Sequence, residues 1–169
     1  MWENALWYVD LGELWDLPYI CEWDGPAGVT QRAKKIPADA VKYKGNYYKA
    51  YDGDVAHSDA QKRCELMGGH LVRVEDALEN NFLVRLCEQF PHLHGMWLDG
   101  SDMEEEGVWR FSNGVEMNYF NWKPHEPNDN KVGTHVEISP FHADPLRGAW
   151  NDIPGKYAGG RGFICEWDE

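Results

Sequence analysis

The sequence has few cysteines, no long apolar run and no recognisable catalytic motif. Its four cysteines are too few for a disulfide-dense miniprotein, and the lack of a CxxC pair argues against a structural zinc site. No segment approaches the ~20 apolar residues that cross a bilayer, so we expect no membrane span. The chain contains no G-x-S-x-G, H-E-x-x-H or P-loop sequence. We therefore expect a binding protein rather than an enzyme.

Basic residues are also scarce, with 16 Lys and Arg against 29 Asp and Glu and a formal charge of −13. The phosphates of a nucleic acid would repel such a chain, so nucleic acid is not an expected partner. Clustered carboxylates can instead bind calcium, which prefers several oxygen ligands. Taken alone, however, the acidity is explained as well by solubility.

A six-residue segment occurs twice. Residues 19–24 read YICEWD and residues 163–168 read FICEWD, with five of six positions identical. The repeat predicts that residues 1–24 are the last strands of a preceding, truncated unit, followed by a linker at 25–40 and the main domain at 41–169. Because the apolar residues of 1–24 need burial, we expect them to pack on 41–169 or on a second chain.

Two helices are predicted after a tyrosine-rich strand region that begins at Val41. Ser58 and Gln61 form a capping-box pattern, which predicts the start of the first helix, and Gly68 ends it. The second helix is predicted from about residue 76 to residue 89, with an apolar face of Leu78, Phe82, Leu86 and Phe90. A long irregular loop is expected at about 121–147, and a loop of that length is usually functional.

Seven motifs follow in order: Cys64 with Gly68-Gly69-His70-Leu71, Trp97 to Asp102, Glu106 to Trp109, Asn121-Trp122, Glu126-Pro127-Asn128, Trp150-Asn151-Asp152 and Phe163 to Glu166. Together they resemble the C-type lectin-like domain family over residues 41–169. The resemblance implies an α+β fold with two helices flanking antiparallel sheets, in which the first and last strands of 41–169 lie together. The absence of the second disulfide that many relatives have favours a bacterial-type member.

Two of these motifs carry oxygen-rich side chains that suit a calcium-dependent sugar site: Glu126, Asn128, Asn151 and Asp152. Carboxylate and amide oxygens are hard ligands for Ca²⁺. The carboxylates also accept hydrogen bonds and the amides donate them, which matches the hydroxyls of a vicinal sugar diol. In the family the proline of the first motif is cis. The Glu-Pro-Asn sequence implies mannose-, glucose- or fucose-type sugars.

One usual ligand is missing, because the family places a further Glu where this chain has Gly133 or Thr134. Loss of an anionic ligand predicts weaker calcium binding, unless Glu137 or Asp144 substitutes. The alternative function is a calcium-independent protein-interaction scaffold on the same fold. The expected partners are thus glycans or a surface protein.

An auxiliary calcium site in some relatives corresponds to Asp102, Glu106 and Asp129. The first two also occur in relatives that bind no calcium, which favours a structural use for them.

The resemblance also implies a disulfide between Cys64 and Cys165, and hence an extracellular or cell-surface protein. The second bridge of many relatives is absent, since its positions correspond to His135 or Val136 and to Gly155. We expect Cys87 to be a small buried hydrophobic residue. The sequence does not determine the state of Cys21.

Overall fold

The computed structural model describes residues 34–128, 134–140 and 146–169. Two helices and seven strands form an α+β domain, as predicted. In chain order the elements are β1 (Val41–Tyr43), β2 (Asn46–Tyr51), α1 (His57–Leu66), β3 (His70–Leu71), α2 (Ala77–Cys87), β4 (Gly95–Ser101), β5 (His135–Ser139), β6 (Ala149–Ile153) and β7 (Arg161–Trp167).

The strands form one sheet in the order β1-β2-β7-β4-β5-β6, and β3 also pairs with β7. The last strand pairs antiparallel with β2, so the two ends of the domain lie together as predicted. The sheet is mixed, because β4 and β7 are parallel while the other paired strands are antiparallel. Strand β7 pairs antiparallel with β2 on one side and parallel with β4 on the other.

Both helices differ in detail from the prediction. Helix α1 starts one residue before Ser58, after Ala56, and no side chain caps it. The predicted capping box is wrong because Gln61 donates to Glu65 within the helix instead. Helix α2 is capped by Asp76, whose carboxylate accepts from the backbone N–H groups of residues 78 and 79.

The predicted apolar face of α2 is also only partly correct. The helix buries Glu79, Asn80, Leu83, Val84 and Cys87. Leu78 is 65% exposed, whereas the other three predicted residues are half-buried and pack on the core. Two polar residues occupy the buried face because each has a hydrogen-bond partner in the interior, Tyr48 for Glu79 and Trp150 for Asn80. Cys87 is buried as predicted.

The core divides into two clusters of buried side chains, and fully buried tryptophans anchor both. Trp150 belongs to the first cluster and Trp97 and Trp167 to the second. Each buried aromatic side chain removes a large apolar area from water, at about 25 cal/mol per Å². The strand that carries the Asn151 and Asp152 motif is therefore fixed to the core by its own tryptophan.

The cysteines of the described residues, Cys64, Cys87 and Cys165, are free thiols in the structure. The Cys64–Cys165 bridge expected from the family is thus not formed in it. The two thiols nevertheless lie in hydrogen-bonding contact within the second core cluster. Burial is the main reason that the pKa of Cys64 is raised well above its usual value.

The domain is already in contact with the chain ahead of Val41. The backbone N–H of Lys35 donates to the carbonyl of Met67 at 3.1 Å, and Lys49 forms an ion pair with Asp39. The proposed strands at 1–24 and most of the proposed linker lie outside the described residues. Within those residues, none of the helices is long and apolar enough to cross a membrane.

Candidate functional site

The loop that carries Glu126 is attached to the edge of the sheet. The backbone N–H of Trp150 donates to the carbonyl of Asn121 at 2.7 Å, and the backbone N–H of Lys123 donates to the carbonyl of Trp150 at 2.8 Å. The side chain of Asn121 also donates to the carbonyl of Gly148 at 2.8 Å. Because β6 is the edge strand, these bonds align the loop along the free side of the strand that carries Asn151 and Asp152.

Three of the four predicted site residues come together at this edge. The Glu126-Pro127 peptide bond is cis, as expected. The backbone N–H of Asn128 donates to Asp152 Oδ1 at 3.0 Å. The Glu126 carboxyl in turn interacts with both Asn128 and Asp152. The loop and the strand therefore bring two carboxyl groups into direct contact.

The electrostatics of this pair favour a bound cation. Burial raises the pKa of Glu126, and the neighbouring Asp152 carboxyl raises it further, while hydrogen bonds from Asn128 lower it. Asp152 itself is only 4% exposed. Two carboxylates in contact repel each other in a partly buried setting, and a divalent cation would relieve that repulsion.

The fourth residue, Asn151, lies on the same strand but on the opposite face of the sheet from Asp152. Its Nδ2 donates to Glu137 Oε1 at 3.2 Å. Its Oδ1 and Glu126 Oε2 are both buried, and neither has a hydrogen-bond partner within the described part of the chain. Buried oxygens normally have partners, so two unpartnered ones on a carboxylate and an amide fit a site for a hard cation.

The acidic ligands available to such a cation are limited. Among the described residues, no three Asp, Glu, His or Cys side chains come together in a way that could hold a metal. Thr134, one of the two candidates for the position of the usual Glu, shares a hydrogen bond with His135 Nδ1 at 2.8 Å. Gly133 and Asp144 lie outside the described residues. Within the described ranges, a cation here would have two carboxylates and amide oxygens as ligands.

Glu137 does not take the place of the missing ligand. It is 4% exposed, and Arg161 Nε donates to its Oε2 at 2.7 Å. Because Asn151 Nδ2 donates to the other oxygen, Oε1, both carboxylate oxygens of Glu137 accept hydrogen bonds from within the protein. Sequence reasoning did not find Arg161, because it lies 24 residues further along the chain and belongs to no motif.

The residues of the predicted auxiliary site do not form a cluster in the described part of the chain. Asp102 is buried, and its Oδ2 accepts from the backbone N–H of Gly107 at 3.2 Å. It thereby stabilises a turn, which agrees with the structural use favoured from the sequence. Glu106 is exposed, and Asp129 lies outside the described residues.

The fold is that of a known class of binding domain. A family model described as "Lectin C-type domain" matches residues 54–167, and the chain belongs to that family. The family consists of carbohydrate-binding domains without catalytic activity.

Two curated relatives come from animals. A perlucin-like protein of Mytilus galloprovincialis is 34% identical over 132 residues, which cover 76% of this chain and 81% of that protein. The galactose-specific lectin nattectin of Thalassophryne nattereri is 28% identical over 142 residues, 82% of this chain and 85% of that protein. These relatives do not support the bacterial type. Nor do the matches support a truncated preceding copy.

A solved structure of a calcium-independent type II antifreeze protein shares the fold. It superposes with a TM-score of 0.66 at 20% identity, over 78% of this chain and 93% of that one. At this identity the likeness concerns the fold alone.

Proposed function

We propose that the domain binds Ca²⁺ through Glu126, Asn128, Asn151 and Asp152, and through the ion a sugar with vicinal hydroxyls. The observation that carries the proposal is the contact between the Glu126 and Asp152 carboxyl groups, together with two buried oxygens, Glu126 Oε2 and Asn151 Oδ1, that have no hydrogen-bond partner among the described residues. Oxygen atoms of carboxylates and amides are the ligands that calcium prefers.

The same side chains can recognise a sugar diol. Calcium would supply positive charge that attracts the two hydroxyl oxygens in place of water. The carboxylates can accept the hydroxyl protons, while the Asn amide groups donate to the hydroxyl oxygens. The Glu-Pro-Asn motif suggests mannose-, glucose- or fucose-type sugars, although the relative nattectin is named galactose-specific. The sugar class is therefore the first property to measure.

A calcium-independent protein-interaction scaffold is the second candidate. It is favoured by the absence of a carboxylate at both positions that could replace the usual Glu, Gly133 and Thr134. A calcium-independent antifreeze protein with the same fold supports the idea that this architecture serves without calcium.

We further propose that the mature protein is extracellular or at the cell surface and that Cys64 and Cys165 become oxidised there. Both thiols are fully buried and in contact, on α1 and β7 respectively. An oxidising compartment would allow a bridge between them, whereas reducing cytosol would not.

Calcium titration by calorimetry, followed by a glycan array with and without chelator, tests the main proposal. Heat of binding together with chelator-sensitive binding to mannose-type glycans supports it. A protein that binds no calcium and no glycan at any calcium concentration would instead support the scaffold function. Binding to galactose-type glycans alone would keep the calcium site but contradict the proposed sugar class.

A further inference from the structure

Three polar side chains form a row across one face of the sheet, next to the proposed calcium site. Asn151 on β6 lies opposite Glu137 on β5 in the strand register. Glu137 in turn reaches Arg161 at the start of β7. The contacts are 3.2 Å from Asn151 Nδ2 to Glu137 Oε1 and 2.7 Å from Arg161 Nε to Glu137 Oε2.

A glycine makes this row possible. Strand β4 lies between β5 and β7, and its residue beside Arg161 is Gly95. A Cβ atom at that position would lie 2.5 Å from Glu137 Oε2 and 3.0 Å from its carboxyl carbon. Any side chain there would displace the carboxylate, so Gly95 leaves the space through which Glu137 crosses β4 to reach Arg161.

The donors and acceptors in the row fix the orientation of the Asn151 amide. A guanidinium group only donates, so the Glu137 oxygen that faces Arg161 is an acceptor, and a carboxylate accepts at its other oxygen as well. The carboxylate must therefore face the NH₂ group of Asn151. The carbonyl oxygen of that amide is left on the side away from Glu137, and it is buried without a partner among the residues that the structure describes.

We propose that Glu137 and Arg161 are positioning residues that hold the Asn151 amide with Oδ1 turned towards calcium. This inference rests on the proposed function, because it assigns a purpose to the orientation of one proposed ligand. Neither residue is a ligand itself, since both oxygens of Glu137 are already occupied within the protein. Partners of this kind affect metal affinity by about 10- to 100-fold.

Glu137→Gln gives a specific test, because the shape of the side chain is kept while its hydrogen-bonding pattern changes. The Gln carbonyl must face Arg161, so its NH₂ group faces Asn151 and the Asn151 amide has to turn over. We expect calcium affinity by calorimetry to fall at least about tenfold. In the calcium-free, ¹⁵N-labelled protein, the Asn151 side-chain NH₂ should exchange with solvent faster than in the wild type.

The double variant Glu137→Gln with Arg161→Met should restore the calcium affinity that Glu137→Gln loses. Without the guanidinium, the Gln carbonyl is free to face Asn151, and the net charge equals that of the wild type. We expect calcium affinity to recover most of the loss. Glu65→Gln, an exposed position on α1, makes the same charge change as Glu137→Gln and should leave calcium affinity unchanged. Thermal melts of all variants verify that each is folded.

The outcomes separate this inference from the proposed function. A wild-type protein that binds no calcium overturns both. Calcium binding by Glu137→Gln within about twofold of the wild type overturns the positioning role alone. Equal weakness of the single and double variants also overturns it, because Glu137 would then act through its charge rather than through the orientation of Asn151.

Discussion

The imidazole rings of His57 and His135 lie together in the interior, with their centroids 4.1 Å apart. His57 Nε2 lies 3.2 Å from the carbonyl of Leu98, and His135 packs so closely on Gly155 that a Cβ there would lie 2.6 Å from His135 Nδ1. Burial lowers the pKa of His57 to about 4. Burial, and then the charge of His57, lowers the pKa of His135 to about 3.

This pair predicts that the domain loses stability in acid. The ordinary pKa of 6.5 applies in the unfolded chain, so the unfolded state binds protons first as the pH falls. The stability that the neutral rings provide is complete above about pH 6.5 and is lost as the pH falls towards 4. Each histidine contributes at most about 1.4 kcal/mol per pH unit to the slope.

Urea denaturation at pH 7 and at pH 5 measures this loss. His135→Leu should reduce the difference between the two pH values, whereas His92→Leu, at an exposed site, should not. An equal pH dependence in the wild type and in His135→Leu would contradict the prediction.

The sequence pointed to only one member of the His57–His135 pair, through the positions of a disulfide found in relatives. His135 or Val136, together with Gly155, was identified as the place where relatives have a second disulfide. The structure brings His135 against Gly155, as that correspondence requires. His57 could not be found in the same way, because it comes from α1 and joins the pair only through tertiary packing.

The fold was predictable largely because motif order identifies the family. The strands near Tyr48 and the approximate extent of both helices also followed from local patterns. The buried face of α2 did not, since Glu79 and Asn80 are buried by partners on distant strands rather than by their own hydrophobicity. For the same reason Arg161 was missed, because its role depends on a contact across three strands.

Asn80 connects α2 to the strand of the candidate site, and its removal should destabilise the domain. Its Oδ1 accepts from Trp150 Nε1 at 2.7 Å, and its Nδ2 donates to the carbonyl of Gly148 at 3.0 Å. Asn80→Ala leaves the buried indole N–H without an acceptor, while Gly148 keeps its bond from Asn121. We expect a loss of about 2 kcal/mol in the free energy of unfolding.

Equilibrium unfolding in urea checks this value. Asn113→Ala is the matched control, because that side chain is exposed and bonds only to the nearby backbone of Val115. A loss below about 0.5 kcal/mol for Asn80→Ala would show that the indole finds another partner.

Oxidation of Cys64 and Cys165 should stabilise the domain. The bridge would close a loop of about 100 residues, which the chain-entropy model associates with at most about 4.7 kcal/mol, and usually less in practice. We expect a reductant to lower the melting temperature of the wild-type protein but not that of Cys64→Ser. Peptide mapping without reductant identifies the bridge, and a Cys64 peptide linked to any other cysteine would refute the pairing.

We predict that calcium stabilises the folded domain by an amount set by its affinity for the candidate site. Calcium that binds only the folded protein raises its stability by RT ln(1 + [L]/Kd). With no carboxylate at either candidate position for the usual Glu, we expect a Kd of about 10⁻⁴–10⁻³ M, in the range of extracellular modules. At a calcium concentration ten times the Kd, the gain is then about 1.4 kcal/mol.

Asn151→Ala and Asp152→Asn should remove this gain together with chelator-sensitive sugar binding. Asp152→Asn keeps an acceptor oxygen for the backbone N–H of Asn128, so the loop should retain its position. It removes the negative charge and replaces the other carboxylate oxygen with an NH₂ group, which cannot bind a cation. Asn151→Ala removes the unpartnered Oδ1 without touching the buried Trp150 beside it. Both variants should have melting temperatures close to that of the calcium-free wild type, and calcium should not change them. The control Asn113→Ala should show the same calcium-induced rise in melting temperature as the wild type. A calcium response that survives in both variants would place the cation away from this edge of the sheet, because the carboxylate and the amide oxygen that define the site would then be dispensable.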